Sequence, residues 1–324
     1  MFIRSEIIGL GHYLPPKILT NDDLSNMVDT SDEWIRTRTG ISSRHVSDGE
    51  TTSVIAGNAA LSAIKNAGIT PRDVDLLILA TVTPDNTTPS TAAKIARDIG
   101  LRAGVPVFDI SAACSGFVYA LTMADNMIRL GQAKTAVVIG AECLSKIVDW
   151  NDRNTCVLFG DGGGAAVLRA KEGTGEATDT GILSTCIFAD GSMYDNLKTT
   201  GGVSSTQNAG VVFMNGKEVF KHAVGSLSQA AETAMKQAGV KKEEIDWLIP
   251  HQANIRIIES VREHLELDEN KIIVTLDHHG NTSAASIPLA LSENMESGRL
   301  KKGDLLVLTA MGAGFTWGGA VIRL

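Results

Sequence analysis

A cysteine, a histidine and an asparagine stand in turns where each could take part in acyl chemistry. Cys114 lies within Val107-Phe108-Asp109-Ile110-Ser111-Ala112-Ala113-Cys114-Ser115-Gly116-Phe117, where a β-forming run meets a block of small residues. Apolar residues at helical spacing resume at Val118, Ala120, Leu121, Met123 and Ala124, so the stretch reads as strand, sharp turn and buried helix. Cys114 then sits at or near a helix N-terminus. Unpaired N–H groups and a partial positive charge there favour a thiolate, and the expectation is a thiol titrating below its free value of about 8.5. The small neighbours would let a substrate carbonyl reach the sulfur. The same window also fits an inert cysteine packed among small residues, since cysteine is among the most buried residue types. Taken alone it leaves both readings open.

Two other turns carry polar groups. Ile249-Pro250-His251-Gln252-Ala253-Asn254 follows an apolar run, and Asp277-His278-His279-Gly280-Asn281-Thr282-Ser283-Ala284-Ala285-Ser286 forms the second. A glycine-rich turn, Thr309-Ala310-Met311-Gly312-Ala313-Gly314-Phe315, could offer backbone N–H groups. Strand ends are where α/β folds build sites. Cysteine, histidine and asparagine together resemble a thiol hydrolase set, but their order and apolar surroundings suggest an acceptor other than water. His278 and His279 precede the turn's glycine and read as local hydrogen-bonding or capping residues.

The elements that must position these groups are legible as an internal repeat. Lys65-Asn66-Ala67-Gly68-Ile69, followed by Asp73-Val74-Asp75-Leu76-Leu77-Ile78, recurs as Lys236-Gln237-Ala238-Gly239-Val240, followed by Glu244-Ile245-Asp246-Trp247-Leu248-Ile249. In the same order, Val107 to Leu121 parallels Val274 to Leu291, and Thr135 to Gly140 parallels Leu305 to Ala310. Gly164 to Arg169 parallels Gly318 to Arg323. The chain reads as two fused copies of one α/β unit, residues 1–172 carrying the cysteine and residues 173–324 the histidine and asparagine, with sheets layered between helices. Strands are expected over 74–82 and 135–140, and helices over 50–68 and 94–99. Polar, glycine-rich residues 188–216 read either as a link between the halves or as a loop covering substrate.

Composition bounds the class. The chain has 324 residues, 44% hydrophobic and 20% charged, as expected of a soluble globular protein with ample core. No apolar run approaches the ~18 residues of a membrane span. The N-terminal residues lack the basic start and apolar core of a secretory signal, so a cytoplasmic location is the default expectation. Four cysteines show no zinc-type spacing and are expected as free thiols. A net charge of −8 argues against nucleic-acid binding, and an acidic partner would need a local basic patch.

Seven motifs in order carry a family resemblance: Thr30-Ser31-Asp32-Glu33-Trp34-Ile35, Arg38-Thr39-Gly40-Ile41, Ala112-Ala113-Cys114-Ser115-Gly116-Phe117, Phe159-Gly160-Asp161-Gly162, Pro250-His251-Gln252-Ala253-Asn254, His279-Gly280-Asn281-Thr282-Ser283-Ala284-Ala285-Ser286 and Gly314-Phe315-Thr316-Trp317-Gly318. Over essentially its whole length the chain resembles β-ketoacyl-acyl-carrier-protein synthase III, the initiating condensing enzymes of fatty-acid synthesis within the thiolase-fold superfamily. The resemblance implies a thiolase-like five-layered αβαβα fold of two duplicated halves, a homodimer, no metal or other cofactor, and no nucleic-acid or membrane partner. It implies acyl-CoA and malonyl-acyl-carrier protein as substrates.

The same resemblance assigns roles. Cys114 would attack the acyl-CoA thioester, with the backbone N–H groups of Cys114 and Ala313 holding the oxyanion. His251 and Asn281 would donate to the malonyl thioester oxygen as the enolate forms. Trp34 would stack on the CoA adenine with Arg153 on its other side, Arg38 would face phosphate, and Gly216 and Asn254 would line the pantetheine channel. The acidic carrier would dock on Lys221 and on Gln252, Ala253, Asn254, Ile255 and Arg256. Arg262 stands a residue or more away from the family's basic position. Two departures stand out. Thr88 replaces a phenylalanine that narrows the acyl pocket in many members, which implies room for a primer longer than acetyl. Gly312-Ala313-Gly314 replaces three glycines, and the added Cβ restricts φ. A sister condensing enzyme of secondary metabolism shares these residues, and an acyl-CoA binder or acyltransferase on the same scaffold is the reading from another class.

Overall fold

Two mixed sheets form the frame, and the computed structural model describes residues 2–324 of the chain. The first sheet contains β1 (Phe2–Tyr13), β2 (Leu76–Ala80), β3 (Val107–Ile110), β4 (Thr135–Glu142) and β5 (Gly162–Gly173), in spatial order β1-β5-β4-β2-β3. The second contains β6 (Gly181–Ala189), β7 (Trp247–Pro250), β8 (Leu305–Gly312) and β9 (Thr316–Arg323), in order β7-β8-β9-β6. β2 pairs in parallel with β3 and β4, and β5 runs antiparallel to β4 and β1. The second sheet repeats this: β7 is parallel to β8, and β9 is antiparallel to β8 and β6. Where the first sheet has β3, the second has a single parallel bridge between Leu248 and Ile272. Leu76–Ala80 is buried at every position, as a parallel strand covered on both faces must be. β3 is only half-buried and pairs on one side, leaving an open edge.

Helices supply the other three layers. α1 (Thr52–Asn66) covers the outer face of the first sheet against β1, β4 and β5. Between the sheets lie α2 (Gly116–Arg129), which touches β2 and β4 on one side and β6, β8 and β9 on the other, and α4 (Ser286–Glu296), which touches β1, β5 and β7. α3 (Gly216–Ala238) covers the outer face of the second sheet against β6, β8 and β9. The fold is therefore the five-layered αβαβα arrangement. α1 buries Ile55, Ala56, Ala59, Ala60, Ala63 and Ile64 on one stripe, the pattern of a helix covered on one side. α2 buries Phe117, Val118, Ala120, Leu121, Ala124 and Ile128, because sheets flank it on both sides. Burial of Phe117 or Leu121 contributes about 1.5–3 kcal/mol each.

Local signals set most boundaries. α3 stops at Gly239, whose φ of 70° makes it a left-handed cap. The helix expected at residue 94 starts earlier, at Thr91, because the Ser90 hydroxyl accepts from Ala93 N–H at 3.3 Å. β2 is shorter than its apolar run, since Val82 N–H leaves the ladder to donate to the Glu142 carboxylate at 3.1 Å. Residues 188–216 contain a 3₁₀ turn (Gly191–Asn196) and a small antiparallel pair, Leu197–Thr199 with Val212–Met214. Matching 3₁₀ turns, Ala113–Ser115 and Ser283–Ala285, precede α2 and α4, and Ala113 (φ 46°) and Ser283 (φ 50°) both take left-handed backbone. Such non-glycine strain costs on the order of 1–3 kcal/mol per residue. Among the described residues no helix is long and apolar enough to cross a membrane.

Candidate active site

β3 and the strained Ala113 deliver Cys114 to the wall of a cavity of 1310 Å³, which His251, Asn281 and Ala313 also line. β8 ends at Gly312, and a Cβ there would fall 2.5 Å from the Cys114 amide nitrogen. Glycine is thus required at 312 for the two turns to meet. Ala313 needs no positive φ, so its methyl group leaves the backbone of that turn unstrained. Thr316 Oγ1 ties the turns together, lying 3.1 Å from the Ala112 carbonyl oxygen and 3.0 Å from that of Ala313. The cysteine departs from the sequence expectation of an acidic thiol. Burial pushes Cys114 up to about 12, against the lowering effect of a Ser283 hydrogen bond, and the nearby Glu142 carboxylate adds to the rise.

His251 follows β7, and its N–H extends the ladder by donating to Thr309 O at 2.8 Å. Its Nδ1 lies 2.7 Å from Ser286 Oγ, which also receives the Gln252 N–H at 3.4 Å. Among the described residues that hydroxyl has no acceptor other than Nδ1, so it donates to Nδ1 and the imidazole proton falls on Nε2. Burial pushes His251 down to about 3, so the ring is neutral. Asn281 is clamped by backbone bonds, its N–H to Leu158 O at 2.8 Å and its carbonyl from Gly160 N–H at 3.0 Å. Its Oδ1 accepts from Ser283 N–H at 2.9 Å. Nδ2 has no hydrogen-bond partner among the described residues. His251 Nε2 and Asn281 Nδ2 are therefore two neutral donors left without internal acceptors on the wall of one cavity.

Residues to which the sequence analysis gave no role hold this arrangement. Glu142 ends β4 fully buried and accepts from Thr83 Oγ1 at 2.6 Å, Thr81 Oγ1 at 3.1 Å, Val82 N–H at 3.1 Å and Ser283 Oγ at 3.4 Å. Burial pushes its carboxyl up to about 7 against these bonds. An acid at the end of an otherwise uncharged, fully buried strand was the available signal. In Phe159-Gly160-Asp161-Gly162, Asp161 accepts from Ser47 N–H at 2.7 Å and Ser145 N–H at 2.8 Å, while a Cβ at Gly160 would meet His279 O at 2.4 Å. That motif seats the segment leading to Asn281.

Of the residues expected to hold CoA, Trp34, Arg38, Arg153 and Asn254 are linked by contact. Two guanidinium groups lie against the Trp34 ring, Arg38 at 4.7 Å and Arg153 at 5.2 Å from its centroid. Trp34, Arg38, Gly216 and Asn254 line the cavity, and Arg153 stands between the lining residues Asp152 and Asn154. Asn254 donates to Arg38 O at 3.0 Å and accepts from Arg256 N–H at 2.9 Å, capping the helix Ile255–His264. Leu197–Thr200 and Val211–Met214 form part of the wall, so part of the segment 188–216 lines the cavity. Thr88 is exposed and does not line the cavity of its own chain.

The docking segment divides. Lys221 and Arg256 are exposed, and Ala253, Asn254 and Ile255 are half-buried. Gln252 is the correction: it is 1% exposed. Its Nε2 donates to Pro250 O at 2.7 Å and Ile273 O at 3.2 Å, and its Oε1 accepts from Thr275 N–H at 2.8 Å and Leu276 N–H at 3.2 Å. With all its hydrogen-bonding groups used internally, it braces the chain between His251 and Asn281 and offers nothing to a carrier. Arg262 is held by Glu259 at 2.8 Å and by Leu267 O at 3.1 Å.

Comparison with known proteins fits this geometry. Residues 108–191 match the family model for 3-oxoacyl-[acyl-carrier-protein] synthase III, and residues 235–324 match the model for its C-terminal part. The chain is 56% identical over 324 residues to the β-ketoacyl-[acyl-carrier-protein] synthase III of Rhodospirillum centenum, covering 100% of both. It is 51% identical over 322 residues to that of Brucella suis, covering 99% of both. The crystal structure of the Aquifex aeolicus synthase III superposes with a TM-score of 0.93 at 48% identity, covering 99% of this chain and 100% of that one. The priming β-ketosynthase of the R1128 polyketide pathway superposes at 0.92 with 32% identity, covering 99% and 96%. On these matches the chain belongs to the β-ketoacyl-acyl-carrier-protein synthase III family of thiolase-like condensing enzymes.

Proposed function

We propose that this chain condenses an acyl-CoA primer with malonyl-acyl-carrier protein, releasing CoA and CO2 and giving a β-ketoacyl-carrier protein that initiates fatty-acid synthesis. The pair of neutral donors facing the Cys114 cavity carries this reading. In the first stage the Cys114 sulfur attacks the thioester carbon, the oxyanion rests on the N–H groups of Cys114 and Ala313, and CoA leaves with the thiol proton. The thiol is protonated at rest, so the proton moves only as the thioester arrives. In the second stage the malonyl thioester oxygen accepts from His251 Nε2–H and Asn281 Nδ2. Loss of CO2 leaves an enolate on that oxygen, its carbon attacks the acyl-enzyme, and Cys114 departs as the leaving group. Neutral donors suit a buried oxygen whose charge grows only in the transition state, because no unpaired charge is buried beforehand. Hydrolysis has no need of such a pair.

CoA is read onto Trp34, Arg38, Arg153, Gly216 and Asn254, and the carrier onto the exposed cations Lys221 and Arg256 beside Ala253 and Ile255. Residues 1–172 supply the sulfur and residues 173–324 the donors, so neither half is complete alone. A homodimer would bring Thr88 of one copy towards the other's acyl pocket, where its small side chain leaves room for a primer longer than acetyl. The chain acts in the cytoplasm on this reading. The test separates the stages. Asn281→Ala should still add the acyl mass to Cys114 from acyl-CoA but lose at least about tenfold in β-ketoacyl product, the scale of one lost transition-state donor. Normal ketoacyl output from that variant would overturn the enolate role.

A further inference from the structure

Outside the cavity, a second cluster gathers where the turn Leu276–His279 meets α4. His278 Nε2 lies 3.0 Å from Glu293 Oε1, and His279 Nε2 lies 3.4 Å from Glu293 Oε2. One donor atom from each of the three residues falls within 4.8 Å of the others. The imidazole centroids are 4.1 Å apart and their planes cross at 62°, so the rings converge on the carboxylate instead of stacking. Asp277 Oδ1 lies 2.9 Å from His278 Nδ1 and fixes that ring's orientation. His278 and Glu293 are half-exposed, whereas the His279 side chain is 4% exposed and its Nδ1 has no hydrogen-bond partner. None of the three lines the Cys114 cavity.

We propose that His278, His279 and Glu293 form a binding site for a divalent transition-metal ion of the zinc class, held by the two Nε2 atoms and one Glu293 oxygen with a fourth position open to solvent. An ion pair between His278 and Glu293 accounts for two of these residues. It leaves His279, a buried imidazole whose Nε2 is turned toward the same carboxylate, with one long contact there. Two imidazoles and one carboxylate suit zinc and its neighbours, whereas magnesium and calcium prefer all-oxygen sets. A carboxylate behind a ligating histidine, as Asp277 stands here, is the usual outer support of such sites. The reaction itself needs no metal. Bound there, the ion would tie the turn that leads through Gly280 into Asn281 to the central helix α4, so its effect is on the rigidity of the donor side.

The test is a calorimetric titration of the EDTA-stripped full chain with Zn2+, in a Cys114→Ala background so that the cavity thiol takes no metal. One Zn2+ per chain is expected, with no saturable heat from Mg2+. The surface substitutions His278→Gln and Glu293→Gln, each checked for an intact thermal transition, should each weaken zinc binding at least about tenfold, the loss typical of a removed ligand contact. Zinc should raise the thermal midpoint of the background protein and not of these variants. Absence of saturable zinc binding, or binding unchanged in both variants, overturns the site.

Discussion

Burial raises the Cys114 thiol, and that has a measurable consequence. A thiol raised to about 12 by burial is a minor thiolate across the working range. Alkylation by iodoacetamide, read as mass added at Cys114, should therefore keep rising with pH, about tenfold per unit through at least about pH 9. A plateau below about pH 7 would mean an ionised thiol at rest and a different first step. His251 needs no such activation, since a ring titrating near 3 is neutral throughout. At this scale the sequence singled out Cys114, His251 and Asn281, which line one cavity, but not what steadies them. Ser286 sets the His251 tautomer, and Glu142 reaches Ser283 from the other half of the chain. Such partners are ordinary serines and an ordinary acid until the fold joins them. Gln252 misled in the opposite sense: its place in the motif suggested a surface, and its amide is fully used inside.

The decisive elements are two strained turns and the strands that press on them. Ala113 and Ser283 adopt the same left-handed backbone in corresponding places, and nothing in either residue type announces it. The glycines were more readable, because close approach leaves a sequence trace. Gly160→Ala tests one of them. The new Cβ would collide with the His279 carbonyl 2.4 Å away, and both are backbone-anchored. The variant should lose about 1–3 kcal/mol of stability. It should also lower condensation more than self-acylation, because Asn281 hangs on the same Gly160 amide. Equal losses in the two stages would mean that Gly160 serves packing alone. The repeat made the sheets legible in outline, and β7 and β8 pair as β2 and β4 do. The repeat did not foretell that the second sheet keeps only the Leu248–Ile272 bridge in place of β3. Segment 188–216 was ambiguous for a related reason: its polar residues say nothing of the wall its apolar ones, Leu197, Val211, Val212, Phe213 and Met214, complete.

For the whole molecule, buried titratable groups make stability depend on pH in opposing ways. In the unfolded chain histidine titrates near about 6.5, but folded His251 refuses a proton until about 3. Above about 6.5 it is neutral in both states and adds nothing; as pH falls below that value the unfolded state gains a proton the folded state lacks, and stability drops. Glu142 works in the other direction. Held up to about 7, it favours the fold below the ordinary glutamate range and loses that contribution as pH rises to about 7. His251→Gln should therefore flatten the acid side of a thermal-midpoint profile while leaving the side above about pH 7 unchanged. A parallel acid fall in the variant would place the labile group elsewhere.

The bare margin of β3 leads into the Cys114 sulfur within a few residues. Unsatisfied peptide groups along a strand invite another chain to zip onto them. If a twin molecule does so here, each copy's Cys114 hangs from the seam that joins the pair. Parting the twins would then slacken both catalytic centres at once, and dilution would silence the enzyme well before it unfolds.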